Sequence, residues 1–452
     1  MRTPLARCLG ARVAPVSSPS SPRHRRCRPA LNILLINHYA GSIRHGMEFR
    51  PYYLAHEWVK AGCRVRIAAA SFSHVRARQP SLKPGRGPTT ETIDGVEYLW
   101  YRTPAYAGNG VGRVRNIFSF LRQLWRDATR HASEFAPDVV IASSTYPMDI
   151  WVARSIAKRA GARLVFEVHD LWPLSPIELG GMSRWHPFIV LCQAAEDHAY
   201  RVADATVSIL PKVADYMASR GLDLARLHVV GNGVAEEDWT GEGQPLPADL
   251  DAWLERQHAA GRAVVGFTGS HGVPNALDVL LDAAKLMAGD AVAFLLVGDG
   301  MEKPRLARRV ADEQLGNVHL AAPMPKPQLI SLLRRLDIAY IGWKRLPIYR
   351  FGIAPNKLMD YMMAGRAVLH SVEAGNDPVQ EAGCGVSVPP ESAPAVAEGL
   401  RRLIALGADG RERLGQRGRE FVLRHHTYAV LARRFLDAAT GRAQPAARAA
   451  HA

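Results

Sequence analysis

Apolar residues fall in two alternating patterns along this chain. From Leu31, "LNILLIN" is a continuous apolar run followed by "HYAGSIRHG", which predicts a buried parallel strand and a glycine-containing loop. The next stretch, "FRPYYLAHEWVKAG", spaces its apolar residues as a helix does and closes on Gly62; "CRVRIAAAS" then predicts a second strand, completing a βαβ opening. The same grammar continues through "DVVIASS", the helix "DIWVARSIAKRAG", and the strands "RLVFEVHD", "ADATVSIL" and "LHVVGNGV". Residues 235–261, rich in Pro, Gly and acidic side chains, predict a linker. At "RAVVGFTGSHGVPNALDVLLDAAKLM" strand, glycine turn and amphipathic helix start again, followed by the strands "VAFLLVGDG", "VHLAA", "IAYIGW" and "AVLHSV". The pattern therefore predicts an α/β protein of two doubly wound halves, and such sheets bind ligands beyond the carboxyl ends of their strands. Within the second half, "RFGIAPNKLMDYMMAG" predicts a short helix opened by Pro355 and closed by Gly365. Leu358, Met359, Met362 and Met363 form its apolar stripe, which leaves Asn356, Lys357 and Asp360 on the opposite face.

Composition adds limits. A chain of 452 residues that is 48% hydrophobic and 22% charged is too long for one core, since single cores stop growing near ~250–300 residues. Residues 1–30 carry seven arginines, no acidic residue and a Pro/Ser-rich run, without the apolar core of a secretory signal; they predict a disordered basic tail that also resembles an organelle transit peptide. Residues 441–452 predict a second tail. Five cysteines with no CxxC pair suit a reducing, cytoplasmic compartment. No apolar run reaches the ~20 residues of a membrane-spanning helix. A formal charge of +15 points to an acidic partner: anionic lipid, phosphorylated substrate or nucleic acid.

Candidate chemistry lies at the predicted strand ends. In "GFTGSHG", Gly269, Ser270, His271 and Gly272 stand between a strand and a helix, where backbone N–H groups can meet a phosphate; a glycine turn without ligand fits the motif equally. Gly298 and Asp299 of "LVGDGMEK" repeat the arrangement. In "FEVHDLWPLSP", His169 and Asp170 end a strand, so an imidazole could hydrogen-bond a reacting hydroxyl or phosphate, although a lone histidine is more often satisfied by backbone. "GNGVG" at Gly108 follows "TPAYA" rather than a strand and is not read as a dinucleotide fingerprint. "DLD" at Asp249 lies in the acidic linker and is read as solvated surface. HExxH, P-loop, GxSxG and clustered metal-ligand patterns are absent from the sequence, so no metal is expected. The stretch "GRVRNIFSFLRQLWRDATRH" interleaves arginines with Phe118, Leu121, Leu124 and Trp125; it suits an anionic membrane surface as well as ordinary packing on a sheet. Nucleic acid is not expected, because the charge is spread along the chain without a binding module.

Together "GSIRHGMEFRPYYLAHEWVKAGCRV", "VFEVHDLWPLSPIELGG", "VVGNGV", "GFTGSHG", "LLVGDG", "PNKLMDYMMAG" and "GNDPVQEAGCGVSVPP" follow the order and spacing of glycosyltransferase family four. The chain resembles in particular its bacterial surface-polysaccharide subgroup, including fucosamine-type transferases, over residues 31–440. The resemblance implies a GT-B fold: a Rossmann-like acceptor-side domain at 31–234, the linker, a donor domain at 262–420, and a C-terminal helix at 421–440 that crosses back. It implies a retaining, metal-independent, cofactor-free transfer from a nucleotide diphosphate sugar, UDP-linked before GDP-linked; the basic charge and the amphipathic arginine stretch suit a polyprenyl-diphosphate-linked acceptor, with an oligosaccharide as the other acceptor expected. The enzyme would work in the cytoplasm, peripheral on the inner membrane face.

Carried over by position, His169 matches the active-site histidine, with Asp170 beside it. Gly41, Ser42, Gly46 and Arg50 fall in or beside the loop near the donor phosphates and acceptor. Asp360 occupies the second position of the family's Glu, seven residues, Glu motif, and the first falls on Gly352. The family's diphosphate-neutralising Arg and Lys fall on Ser270 and near Asn275, so Lys357, assisted by Arg350 or His271, is expected to supply that charge; Asn356 joins this donor set. Two other readings share the fold: a sugar-nucleotide 2-epimerase, and a non-catalytic nucleotide-sugar-binding membrane scaffold.

Overall fold

The computed structural model describes residues 31–442 apart from Arg86 and Asn109. The tails read at 1–30 and past residue 442 lie outside the described residues. In the first half an eight-stranded sheet comprises β1 (Asn32–Ile36), β2 (Arg64–Ala70), β3 (Thr89–Ile93), β4 (Val96–Tyr101), β5 (Val139–Ala142), β6 (Arg163–Val168), β7 (Ala205–Ser208) and β8 (Leu227–Val229), in the order β3-β4-β2-β1-β5-β6-β7-β8. All neighbours are parallel except β3 and β4. The second half holds β9 (Ala263–Thr268), β10 (Val292–Val297), β11 (Val318–Ala321), β12 (Ile338–Gly342), β13 (Ala367–Ser371) and β14 (Gly385–Ser387), parallel in the order β11-β10-β9-β12-β13-β14.

The continuous apolar runs arise because both sheet faces are covered. On β1, Leu34 and Ile36 join the core beneath the helices Val111–Arg126 and Asp149–Ala160, while Ile33 and Leu35 enter the opposite core with Trp58 and Phe435. β9 divides likewise, Val264 to one core and Val265 and Phe267 to the other. The order reverses at β1/β5 and at β9/β12, and the loops after these strands stand where doubly wound sheets take their ligands.

Three features depart from the sequence reading. The antiparallel hairpin β3–β4 was not anticipated; its Asp94-Gly95 turn has φ of 47° and 81°, as a tight two-residue hairpin requires. Residues 235–261 are not a plain linker. Ala248–Ala259 is a helix whose Leu250 and Leu254 are buried in the second-half core, and Trp239 is buried with them. The motif at Asp249 starts this helix, and Asp251 pairs with Arg335. Finally, residue 421 falls within the helix Gly407–His425, which packs on the second half.

The chain then passes back at His426–Thr427, and the helix Tyr428–Ala439 packs on the first-half helix Arg50–Lys60. There Trp58 Nε1 donates to Ala432 O at 2.9 Å. Where the two passes between halves meet, Val234 N donates to His426 O and Tyr428 N to Val234 O, both at 2.9 Å. Among the described residues no helix is long and apolar enough to cross a membrane.

Candidate active site

At the carboxyl edge of the first sheet, β6 delivers Glu167 into the interior and His169 to the rim of a cavity of about 290 Å³. Glu167 Oε1 accepts from Arg50 Nε at 2.9 Å, and its Oε2 accepts from Ser143 Oγ at 2.6 Å and lies 3.3 Å from His169 Nε2. His169 Nε2 is also 2.9 Å from Ser143 Oγ, and its other ring nitrogen has no partner among the described residues. Burial opposes charge here, but His169 and Arg50 outweigh it and hold the Glu167 carboxyl down at about 2. The same pairing raises the His169 pKa against the opposing effect of burial. The imidazole is thus anchored at one nitrogen, with the other left at the rim of the cavity. Asn37, Tyr39, Glu48, His74, Arg113 and Trp172 line the rest of the cavity.

Asp170 sits on the same edge, but its Oδ1 accepts from Leu171 N at 2.9 Å and Ser175 Oγ at 2.5 Å, which shapes the turn into the helix Leu174–Glu178. Arg50 is 1% exposed and does not stand in a phosphate loop, because its guanidinium is spent on Glu167 and on the carbonyls of Val230 and Gly231. The loop after β1 also differs from a phosphate cradle. Gly41 N donates to Glu48 O, Ser42 N to Gly46 O, and Gly46 N to Ser42 O, so these amides close the loop on itself. A Cβ on Gly41 would stand 1.9 Å from Gly46 O, which explains the glycine; Ser42 is fully buried against His45.

In the second half, Gly269, Ser270, Gly298 and Asp299 do come together, lining a cavity of about 310 Å³ with Met324 and Leu329 beyond them. Gly269 and Gly298 have φ of 132° and 147°, and a Cβ on Gly298 would lie 1.8 Å from Gly269 O. Only bare backbone allows these two strand-end turns to touch. The helix Asn356–Met363 projects Lys357 to this edge: a Cβ on Gly269 would lie 3.1 Å from Lys357 Nζ, which donates to Asn275 Oδ1 at 2.9 Å and sits 4.3 Å from the Phe267 ring centroid. Burial pushes the Lys357 ammonium down to about 8. Asn356 is exposed at the start of the helix, and Asp360 Oδ1 accepts from Lys326 Nζ at 2.5 Å.

The assistants expected for Lys357 are placed otherwise. His271 is fully buried with both ring nitrogens unpartnered, and burial followed by the charge of Lys303 lowers its pKa, so it adds no positive charge. Arg350 crosses to the first half, donating to Glu178 at 2.8 and 2.7 Å. Gly352 has φ of 92°, and a Cβ there would lie 2.5 Å from Pro211 Cδ and 2.9 Å from Asn376 Oδ1. A glutamate at this position has no room between the halves.

Glu167, Ser143, Lys326 and Glu178 were not singled out from the sequence. Glu167 alone left a signal, one carboxylate inside the apolar strand "RLVFEV". Among the described residues no group of three His, Cys, Asp or Glu side chains could hold a metal ion.

Comparison with known proteins bears on the family and the fold. Residues 45–233 match the glycosyl transferase 4-like domain, and residues 262–405 match glycosyl transferases group 1. The "Probable glycosyltransferase WbjE" of Pseudomonas aeruginosa is 23% identical over 291 residues, 64% of this chain and 70% of that protein. Among solved structures, Anabaena Alr3699/HepE in complex with UDP and glucose has a TM-score of 0.59 at 15% identity, covering 91% of this chain and 99% of that one. WaaG, a glycosyltransferase involved in lipopolysaccharide biosynthesis, has a TM-score of 0.60 at 15% identity, covering 90% and 100%. The two facing α/β halves are the GT-B fold, and the chain belongs to the glycosyltransferases that join a 4-like domain to a group 1 domain.

Proposed function

We propose that this glycosyltransferase moves a sugar from a UDP-sugar to a hydroxyl of a polyprenyl-diphosphate-linked acceptor in surface-polysaccharide biosynthesis, at the inner face of the membrane. The observation that carries the reading is Lys357, a half-buried cation held beside the Gly269 turn at the edge of the strand-end cavity. The nucleoside lies in that cavity, and the diphosphate meets Lys357 and the amides of Ser270 and Asp299, since those of Gly269 and Gly298 donate to Val297 O and Ala321 O. Support for UDP comes from HepE, whose solved complexes hold it, and support for the pathway comes from WaaG and its part in lipopolysaccharide biosynthesis.

In the reaction the bond from the anomeric carbon to the diphosphate breaks, and the acceptor oxygen attacks the same face. Its proton passes to the departing phosphate oxygen, and attack from the face that the diphosphate leaves gives retention. Lys357 stabilises the charge that develops on the leaving group, and His169 orients the sugar or acceptor through its unpartnered nitrogen. No metal or other cofactor is assigned a part in this transfer. Thermal unfolding with UDP, GDP, ADP and NAD tests the donor, because a ligand at ~100 times its Kd contributes about 2.7 kcal/mol. A shift with UDP and turnover only with acceptor are expected. A shift with NAD alone refutes the reading, and acceptor-free conversion of UDP-N-acetylglucosamine would favour the epimerase.

A further inference from the structure

Beside the small cavity at His169 lies a larger one of about 970 Å³, and the two share Arg113, Asp170 and Trp172. Its walls are the helix Val111–Arg126, the short helix Leu174–Glu178 and the start of the helix Pro187–Val202. The lining is dominated by apolar side chains, with Ile117, Met182, Phe188 and Leu191 within and Val111 and Leu179 at the rim. Val111 is 84% exposed and Leu179 51%, and nearby Trp185 is 80% exposed, a costly display of apolar surface for a chain standing alone in water. Polar groups concentrate where the two cavities meet: Asp170 tied to Ser175, and Arg113 donating from Nε to Tyr39 Oη at 3.0 Å with its guanidinium 5.4 Å from both the Tyr39 and Trp172 ring centroids.

The outer face of the same helix carries Arg115, Arg122, Trp125 and Arg126, all exposed, and Phe118, also exposed, stands between that face and the groove, which it lines. These three arginines have no ion-pair partner among the described residues, while Ile117, Phe120 and Leu124 face the core. Arginines interleaved with exposed aromatics suit the headgroup layer of an anionic bilayer. An oligosaccharide needs walls rich in hydrogen-bonding groups, and this lining supplies few.

We infer that the groove takes the isoprenoid tail of a polyprenyl-diphosphate acceptor, with its diphosphate at the Arg113 junction and its sugar at His169. The inference rests on the proposed transfer reaction and adds the subsite that selects a lipid-linked acceptor. Trp185 and the arginine face bring the groove mouth to the membrane, so the tail passes from bilayer to groove without crossing water.

The test uses the full chain and soluble probes: farnesyl diphosphate, inorganic diphosphate and dodecyl phosphate, with binding followed by calorimetry. Farnesyl diphosphate should bind at least tenfold more tightly than inorganic diphosphate, and Leu179→Asp should erase that preference while leaving the UDP-induced thermal shift intact. Phe118→Ser, at a position already 43% exposed, is the second variant should Leu179→Asp fail to fold, and should weaken farnesyl diphosphate alone. Equal affinity for farnesyl and inorganic diphosphate overturns the inference, and equally tight dodecyl phosphate overturns the isoprenoid assignment. Loss of the UDP shift with farnesyl binding retained would sink the transferase reading but leave the groove standing.

Discussion

Replacing Arg50 by methionine isolates the group that holds the histidine's carboxylate partner in place. The arginine and Glu167 side chains are 1% and 0% exposed, and Arg50 also donates through Nη2 to Val230 O at 2.8 Å. Methionine fills similar volume but leaves the carboxylate with His169 and Ser143 only, and strands two backbone carbonyls. Removing one member of a buried ion pair costs about 3–5 kcal/mol. The carboxyl itself gives a second figure: lowering its pKa from 4.5 to about 2 corresponds to on the order of 3 kcal/mol, shared between Arg50 and His169. Because the folded value lies below the unfolded one, this stabilisation is complete above pH 4.5 and disappears as the pH falls toward 2. Urea unfolding at neutral pH should therefore show Arg50→Met less stable by ~3 kcal/mol, and the gap should narrow in acid. In a double-mutant cycle, Arg50→Met with Glu167→Gln should cost less than the sum of the single changes. A loss under ~1 kcal/mol, or strict additivity, would refute the coupled network.

Three further outcomes follow from the site. Lys357→Ala should weaken UDP by roughly ten- to a hundredfold, the range of ~1.5–3 kcal/mol for a charged hydrogen bond, and unchanged affinity in calorimetry would remove the lysine from the donor site. With its ammonium near 8, Lys357 is protonated and binding below that pH, so UDP affinity should fall as the pH rises through about 8; Lys357→Arg should flatten the profile, and a wild-type profile already flat to pH 10 would contradict the assignment. Gly352→Glu should not restore a donor contact: at φ 92° with Pro211 and Asn376 in the way it should cost about 2 kcal/mol or more, and a variant with wild-type stability and faster turnover would disprove the steric account.

Much of the fold was legible because strands buried on both faces leave uninterrupted apolar runs, as "NILLI" and "VAFLLV" do. The helix Ala248–Ala259 escaped notice because only Leu250 and Leu254 are buried, within an acidic stretch whose composition resembles a linker. Strand-end position located His169, Gly269 and Gly298, since a strand terminus fixes which edge a residue reaches, whereas Lys357 stood out on the polar face of its short helix. It could not reveal that Arg350 would reach Glu178, 172 residues away in sequence, or that the amides after β1 would bond one another. Such pairings depend on how distant elements are packed, which local spacing does not encode.

The carbonyls that receive Arg50 belong to Val230 and Gly231, immediately before the crossover at which Val234 pairs with His426 and Tyr428. The guanidinium thus links this crossover to Glu167, and Glu167 is the anchor of His169. Two buried side chains, Arg50 and Glu167, therefore connect the chain's passage between the halves to the imidazole.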